Sequence, residues 1–238
     1  MSDKNKFEPT RWSLVSMVRK GDSRQSLKAL NTLLEIYWFP LYAFARSSGR
    51  QQEDAEDLVQ GFSLSLIERS GFKNIDKENG KLRTYLIKSF KNFMASDLRK
   101  KYAIKRGAGE SPLSIDAAEE KYQLQPYTDL SPDNIYDKAW ALELLNQTMQ
   151  SLEEYYVAKD RLDVYNHIKV YLGWNSGEET YESLSEKSGI SVSSIKVEVS
   201  RMRKRYKDIL TENVKQTVDV STEDEIRAEL MELLTSVG

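Results

Sequence analysis

Ser191, Ser193, Ser194, Lys196, Val197, Ser200, Arg201, Arg203 and Lys204 crowd into one short stretch, and six cations stand between Lys196 and Lys207. No nucleophile–base set accompanies them. Their chemistry is recognition: small hydroxyl and aliphatic side chains can approach base edges, and cations can hold phosphates. At 100° per residue, Ser193, Val197, Ser200 and Lys204 share one side of a helix, flanked by Lys196 and Arg201. Val192, Ile195, Val199, Met202 and Tyr206 share the other. One side is built to pack and the other to meet nucleic acid.

The elements that must position this face are legible nearby. Thr180 is placed to cap a first helix and Gly189 to stop it in a left-handed turn. Ser191 then caps a second helix of about 16 residues, roughly 24 Å long. Two helices at this spacing predict a helix-turn-helix. The alternative, a helical hairpin with a solvated basic face, explains the cations but not their clustering behind small residues.

A second basic surface precedes it. Lys88, Lys91 and Asn92 face outward on a helix predicted over 81–105, with Thr84 and Ala95, while Leu82, Leu86, Phe90 and Phe93 face inward. The face runs into Arg99, Lys100, Lys101, Lys105 and Arg106, five cations with no acid among them. Tyr85 and Tyr102 lie alongside, so the track suits a nucleic-acid strand.

A third cluster is acidic. Asp54, Glu56 and Asp57 open a helix predicted over 53–69, where carboxylates favour the positive end of the helix dipole. Ala55, Leu58, Val59, Phe62 and Leu66 form its inward stripe. Leu64 and Ile67 lie opposite, beside Asp57 and Gln60, and an apolar strip on a second side suits a partner surface. The three carboxylates could also be read as metal ligands. With one histidine, His167, and no cysteine, no metal and no cofactor is expected.

The whole chain of 238 residues is 30% charged and 39% hydrophobic, the balance of a globular protein. No run has transmembrane length and no signal-peptide pattern opens it, so a cytoplasmic protein with no membrane partner is expected. The net charge of −2 hides an uneven distribution. Residues 110–137 hold seven acids, and residues 219–232 hold six with one arginine. The periodicities predict an all-α chain of two helical domains joined by an acidic linker. The expected divisions are an N-terminal extension (1–25), a helical domain (26–106), the linker (107–130), a helix-turn-helix domain (131–213) and a C-terminal extension (214–238). Within them, helices are expected at 10–19, at 26–38 with a break or kink at Pro40, at 131–156 with Leu142, Leu145, Met149 and Leu152 inward, and at 160–172. Ser131 and Pro132 mark a helix start, and Thr222 with Glu225 a capping box. The last helix, with Ile226, Leu230, Leu233 and Leu234 in a stripe, is too short to stand alone in water. It is expected to complete the helix-turn-helix core or to shield the recognition helix.

Three segments in order resemble the bacterial RNA polymerase sigma factors of the extracytoplasmic-function group. DAEDLVQGF (Asp54 to Phe62) is similar to that family's polymerase-docking helix. LIKSFKNFMASDLRK (Leu86 to Lys100) resembles its promoter-melting helix, and ISVSSIKVEVSRMRKR (Ile190 to Arg205) its upstream-element recognition helix. TRWSLV and YWFPLYAFAR resemble a planctomycete-like subgroup with extended termini. The chain departs from the pattern at Gly61, where the family often has Glu; at Ser96, where it usually has Asp; and at Glu198, which replaces a common Arg.

The resemblance implies a sigma-two-like domain that binds the clamp helices of core polymerase through Asp54, Glu56, Asp57, Gln60, Gly61, Leu64 and Ile67. It implies downstream promoter contact and melting by Lys88, Lys91, Asn92, Arg99, Lys100, Lys101, Lys105 and Arg106, beside a base-selecting loop at 72–81. It implies a sigma-four-like domain that holds the polymerase flap and reads the upstream element. Such a protein is no enzyme, and an anti-sigma or other regulatory protein is a natural further partner. Two rivals remain open on the residues alone: a one-component helix-turn-helix regulator that ignores polymerase, and a metal-dependent nucleic-acid enzyme using Asp54, Glu56 and Asp57.

Overall fold

The structure is a computed structural model that describes residues 14–15, 23–68, 81–103, 122–123, 130–172, 180–216 and 222–237. Of the helix expected at 10–19 only Leu14 and Val15 are described, both helical and buried, and the loop at 72–80, Lys105, Arg106 and most of the linker lie outside these residues. Every described element is helical. They are α1 (Ser23–Ser47), α2 (Gln52–Glu68), α3 (Leu82–Ala103), α4 (Pro132–Ala158), α5 (Leu162–Ile168) with a 3-10 turn at Lys169–Leu172, α6 (Tyr181–Ser188), α7 (Val192–Lys215) and α8 (Glu223–Val237). No described helix is long and apolar enough to cross a membrane.

Two compact units form, residues 1–143 with 214–238 and residues 144–213. The sequence divides the chain at 130/131 and 213/214. The structure instead carries the first unit through 143, because Ile135, Tyr136, Ala139 and Trp140 at the start of α4 are buried there.

In the first unit α1, α2 and α3 pack on one another. Phe90 of α3 lies against Phe62 of α2 and Phe44 of α1, with centroids 5.2 and 6.2 Å apart. Of the break or kink expected at Pro40, α1 excludes the break: the helix continues through it. A proline inside a helix removes one backbone donor, and here the flanking Phe39, Leu41, Tyr42 and Ala43 are all buried, so packing holds the helix on both sides. α1 ends at Gly49, whose φ of 83° is left-handed. Gly49 N–H donates to Arg46 and Arg50 N–H to Ala45, the paired bonds that close a helix C-terminus.

α4 begins as its sequence dictates. Ser131 Oγ accepts from Asn134 N–H at 3.3 Å, with Pro132 at the first helical position. Its inward face differs from the expected one: Trp140, Leu144, Thr148, Leu152 and Tyr156 are buried, whereas Leu142, Leu145 and Met149 are only half-buried. The stripe passes through Thr148 because a helical threonine satisfies its own hydroxyl. Its Oγ1 donates to the Leu144 carbonyl at 2.8 Å and accepts from Asn213 Nδ2 at 3.1 Å.

α8 keeps its expected capping box. Glu225 N–H donates to Thr222 Oγ1, and the Thr222 hydroxyl donates to Glu225 Oε2. Its surroundings are another correction. Ile226, Glu229 and Leu233 are buried, Leu234 is exposed, and its carboxylates meet Lys81 and Arg83 at the start of α3. A place in the helix-turn-helix core does not describe that arrangement.

Candidate nucleic-acid interface

The second unit contains the expected helix pair. Thr180 caps α6 by accepting from Ser183 N–H at 3.1 Å. Gly189 ends it at φ 70°, ψ 7°, with its N–H on the Ser185 carbonyl. Ser191 Oγ accepts from Ser194 N–H at 3.3 Å and starts α7. α7 runs for 24 residues, longer than expected, because Ile209, Leu210 and Val214 extend the apolar stripe beyond Tyr206.

The two sides of α7 sort as the periodicity requires. Ile195, Val199 and Met202 are buried against Leu184 of α6 and against Leu152, Tyr156, Tyr165, Ile168 and Tyr171. Ser191, Ser193, Ser194, Lys196, Val197, Ser200, Arg201 and Lys204 are exposed. Arg203 has a different occupation. Its Nε and Nη2 both donate to the Tyr171 carbonyl, at 3.1 and 2.8 Å, so its guanidinium ties α7 to the 3-10 turn. Sequence spacing alone placed it among the DNA contacts; a carbonyl at the end of a short helical turn is the signal that spacing does not carry.

Glu198, on the flank of this face, bridges two cations. It accepts from Arg201 at 3.0 Å and pairs with Arg161 at 3.1 Å. Beside them Arg205 stacks over the Tyr155 ring, 4.4 Å from its centroid. Together with Tyr156 these side chains line a cleft of about 440 Å³. Burial and the neighbouring Glu198 raise the Tyr156 pKa, so its phenol stays protonated and neutral.

The first unit carries the other two candidate surfaces. On α3, Thr84, Lys88, Lys91, Asn92 and Ala95 are exposed on one side. Arg99, Lys100 and Lys101 continue the helix. Lys91 Nζ pairs with Asp133 Oδ1 at 2.5 Å and lies over the Phe44 ring.

On α2 the acidic cluster separates. Asp57 is exposed, while Asp54 and Gln60 are half-buried. Leu64 is 51% exposed, and Glu56 is 3% exposed, turned into the core with Ala55 and Val59. Ile67 lies in the last turn of α2. Glu56 therefore does not share the outward side with Asp57, and the three carboxylates do not converge. Among the described residues no group of three or more His, Cys, Asp or Glu side chains could hold a metal ion. A Cβ at Gly61 would come within 3.2 Å of Phe93 Cζ, a tight contact with that ring.

A charge cluster drawn from three segments completes the unit, and sequence reasoning missed it. Arg83 is buried, 5% exposed at its side chain, and donates to Glu229 at 3.0 Å, Glu232 at 2.5 Å and Asp137 at 2.5 Å. Its guanidinium stacks over Trp140 at 4.8 Å. Tyr136 Oη donates to its backbone carbonyl. Lys81 Nζ pairs with Glu229 at 2.5 Å and also with Glu232. Burial opposes the Arg83 charge, but the Glu229 and Asp137 charges and the Glu232 hydrogen bond outweigh it and hold the guanidinium ionised.

Among the described residues every element is helical, with a capped helix-turn-helix in one unit and a cation-bearing helix in the other. Residues 38–103, spanning α1 from Trp38 through α3, match the family model of Sigma-70 region 2. That match, over about a quarter of the chain, supports a sigma factor role in promoter recognition by RNA polymerase. Searches of curated proteins and of solved structures found no match.

Proposed function

We propose that this chain is a promoter-specificity subunit of bacterial RNA polymerase, of the compact extracytoplasmic-function kind. The Sigma-70 region 2 match over 38–103 carries the reading, joined in one chain to a capped helix-turn-helix. In this reading the outward side of α2, with Asp54, Asp57, Gln60, Leu64 and Ile67, docks on the clamp helices of core polymerase. Glu56 and Gly61 shape that helix from within. The outer side of α3, with Lys88, Lys91 and Asn92 and the cations from Arg99 to Arg106, tracks downstream promoter DNA. α7 enters the major groove of the upstream element: Ser193, Val197 and Ser200 approach base edges, and Lys196, Arg201 and Lys204 hold phosphates. The unit of 144–213 also holds the flap, and the acidic linker lies in the RNA channel. The chain works in the cytoplasm, and an anti-sigma protein is one way to control it.

No catalytic group is required. Binding energy to unpaired promoter DNA drives strand separation, so affinity is the chemistry. The test is association of the purified chain with core polymerase, followed by transcription from a promoter library in vitro. Specific initiation supports the reading. DNA binding without polymerase association would favour the one-component regulator instead.

A further inference from the structure

Two lysines on or beside the outer side of α3 are covered by carboxylates of the same chain. Lys81 immediately precedes α3 and stands in line with Thr84, Lys88, Asn92 and Ala95 at helical spacing. It meets Glu229 and Glu232 of α8. Lys91 meets Asp133 in the first turn of α4. All these residues belong to one unit.

The pairs differ in depth. Arg83 and Glu229 are buried and fix α8 against α3. Lys81 and Glu232 are 34% and 48% exposed, and Lys91 and Asp133 are 43% and 55% exposed. Pairs open to water hold weakly and are screened by salt, so another anion can replace one partner. A phosphate has the charge and acceptor oxygens to do so.

We propose that Glu232 and Asp133 are exchangeable stand-ins for phosphates, and that Lys81 extends the nucleic-acid track of α3. In the free chain the carboxylates neutralise Lys81 and Lys91. A nucleic-acid backbone takes the place of Glu232 on Lys81 and of Asp133 on Lys91, while Glu232 keeps its bond to Arg83 and the buried Arg83–Glu229 pair keeps α8 in place. The two acids thus act as an electrostatic brake: weak, sequence-independent contacts are discouraged, and a strand held by other contacts overcomes them. This rests on the reading that the outer side of α3 binds nucleic acid.

The experiment uses the full chain and a short fluorescent single-stranded DNA, titrated between about 50 and about 200 mM salt. Glu232→Gln and Asp133→Asn should each tighten binding about three- to tenfold at the low end. Each should also steepen the slope of log K against log salt by about 0.7, the value for one phosphate contact on a single strand. Glu223→Gln makes the same charge change at the far end of α8 and should leave affinity within about twofold. An equal gain from Glu223→Gln would mean that net charge alone is at work, which overturns the proposal. Unchanged binding in Glu232→Gln and Asp133→Asn, with Lys88→Gln still weakening the wild-type chain, overturns the brake and leaves the track standing. Unchanged binding in Lys88→Gln and Lys91→Gln overturns the track, and the brake with it. Circular dichroism melts of each variant confirm that folded proteins are compared.

Discussion

Arg83 Nε donates to Glu229 Oε1 at 3.0 Å across 146 positions of sequence, and both side chains are almost fully buried. This pair joins the last helix of the chain to a helix inside the segment that matches Sigma-70 region 2. A buried pair owes its stability to both partners being present, because either one alone is an uncompensated charge in a poor solvent.

Arg83→Met should therefore lower unfolding stability by about 3 kcal/mol, since buried Glu229 loses its buried partner and keeps only the half-exposed Lys81. Arg83→Met with Glu229→Leu should recover at least half of that loss. Urea denaturation of the two variants and the wild type decides it. A double variant as unstable as Arg83→Met alone would show that the pair is not what holds α8.

Glu232 sets the acid dependence of the same contact. Burial raises its pKa, but hydrogen bonds from Lys81 and Arg83, and their charges, bring it below the usual 4.5. A carboxylate with a depressed folded pKa contributes stability above its unfolded value and loses it as pH falls through the folded one. Asp137 works against this: burial raises its pKa more than Arg83 lowers it, so its contribution to folded stability grows as the pH falls. Below 4.5 the wild-type melting temperature should therefore fall more steeply than that of Glu232→Gln. Parallel curves for the two proteins would remove Glu232 from the acid response.

The two carboxylates Glu56 and Asp57 are adjacent in sequence and should behave oppositely. Asp57→Ala and Leu64→Ala should leave the melting temperature nearly unchanged and weaken association with core polymerase, by about 2 kcal/mol at the centre of the contact. Glu56→Ala changes a side chain inside the core and should lower the melting temperature. Wild-type polymerase affinity in both Asp57→Ala and Leu64→Ala would refute α2 as the docking face.

Lys204 and Arg203 make a second adjacent contrast. Lys204→Ala should weaken binding to all DNA sequences alike and lower the salt slope by about one. Arg203→Ala removes two charged hydrogen bonds to Tyr171 and should cost about 1.5–3 kcal/mol of stability in the second unit. Ser200→Ala should shift sequence preference with little change in slope. If Lys204→Ala altered preference while leaving the slope intact, α7 would be turned differently on its DNA.

Local codes were legible in the chain alone. The Thr180, Ser131 and Thr222 caps, the left-handed Gly189 and the Ile195–Val199–Met202 stripe are written within a few residues of where they act. Each is a backbone or helical-period requirement that near neighbours satisfy. The exposed set on α7 followed from the same period. Tertiary structure alone decided which charges lie inside. Nothing local to Glu56, Arg83 or Glu229 signals their burial, because an ionised group leaves water only where distant partners replace its hydration. Those partners lie 146 positions apart for Arg83 and Glu229 and 32 for Arg203 and Tyr171. The unbroken α1 at Pro40 and the buried Thr148 have the same origin. A helix interior tolerates a missing donor or a hydroxyl where packing and nearby carbonyls compensate, and that compensation belongs to the folded chain rather than to the residue.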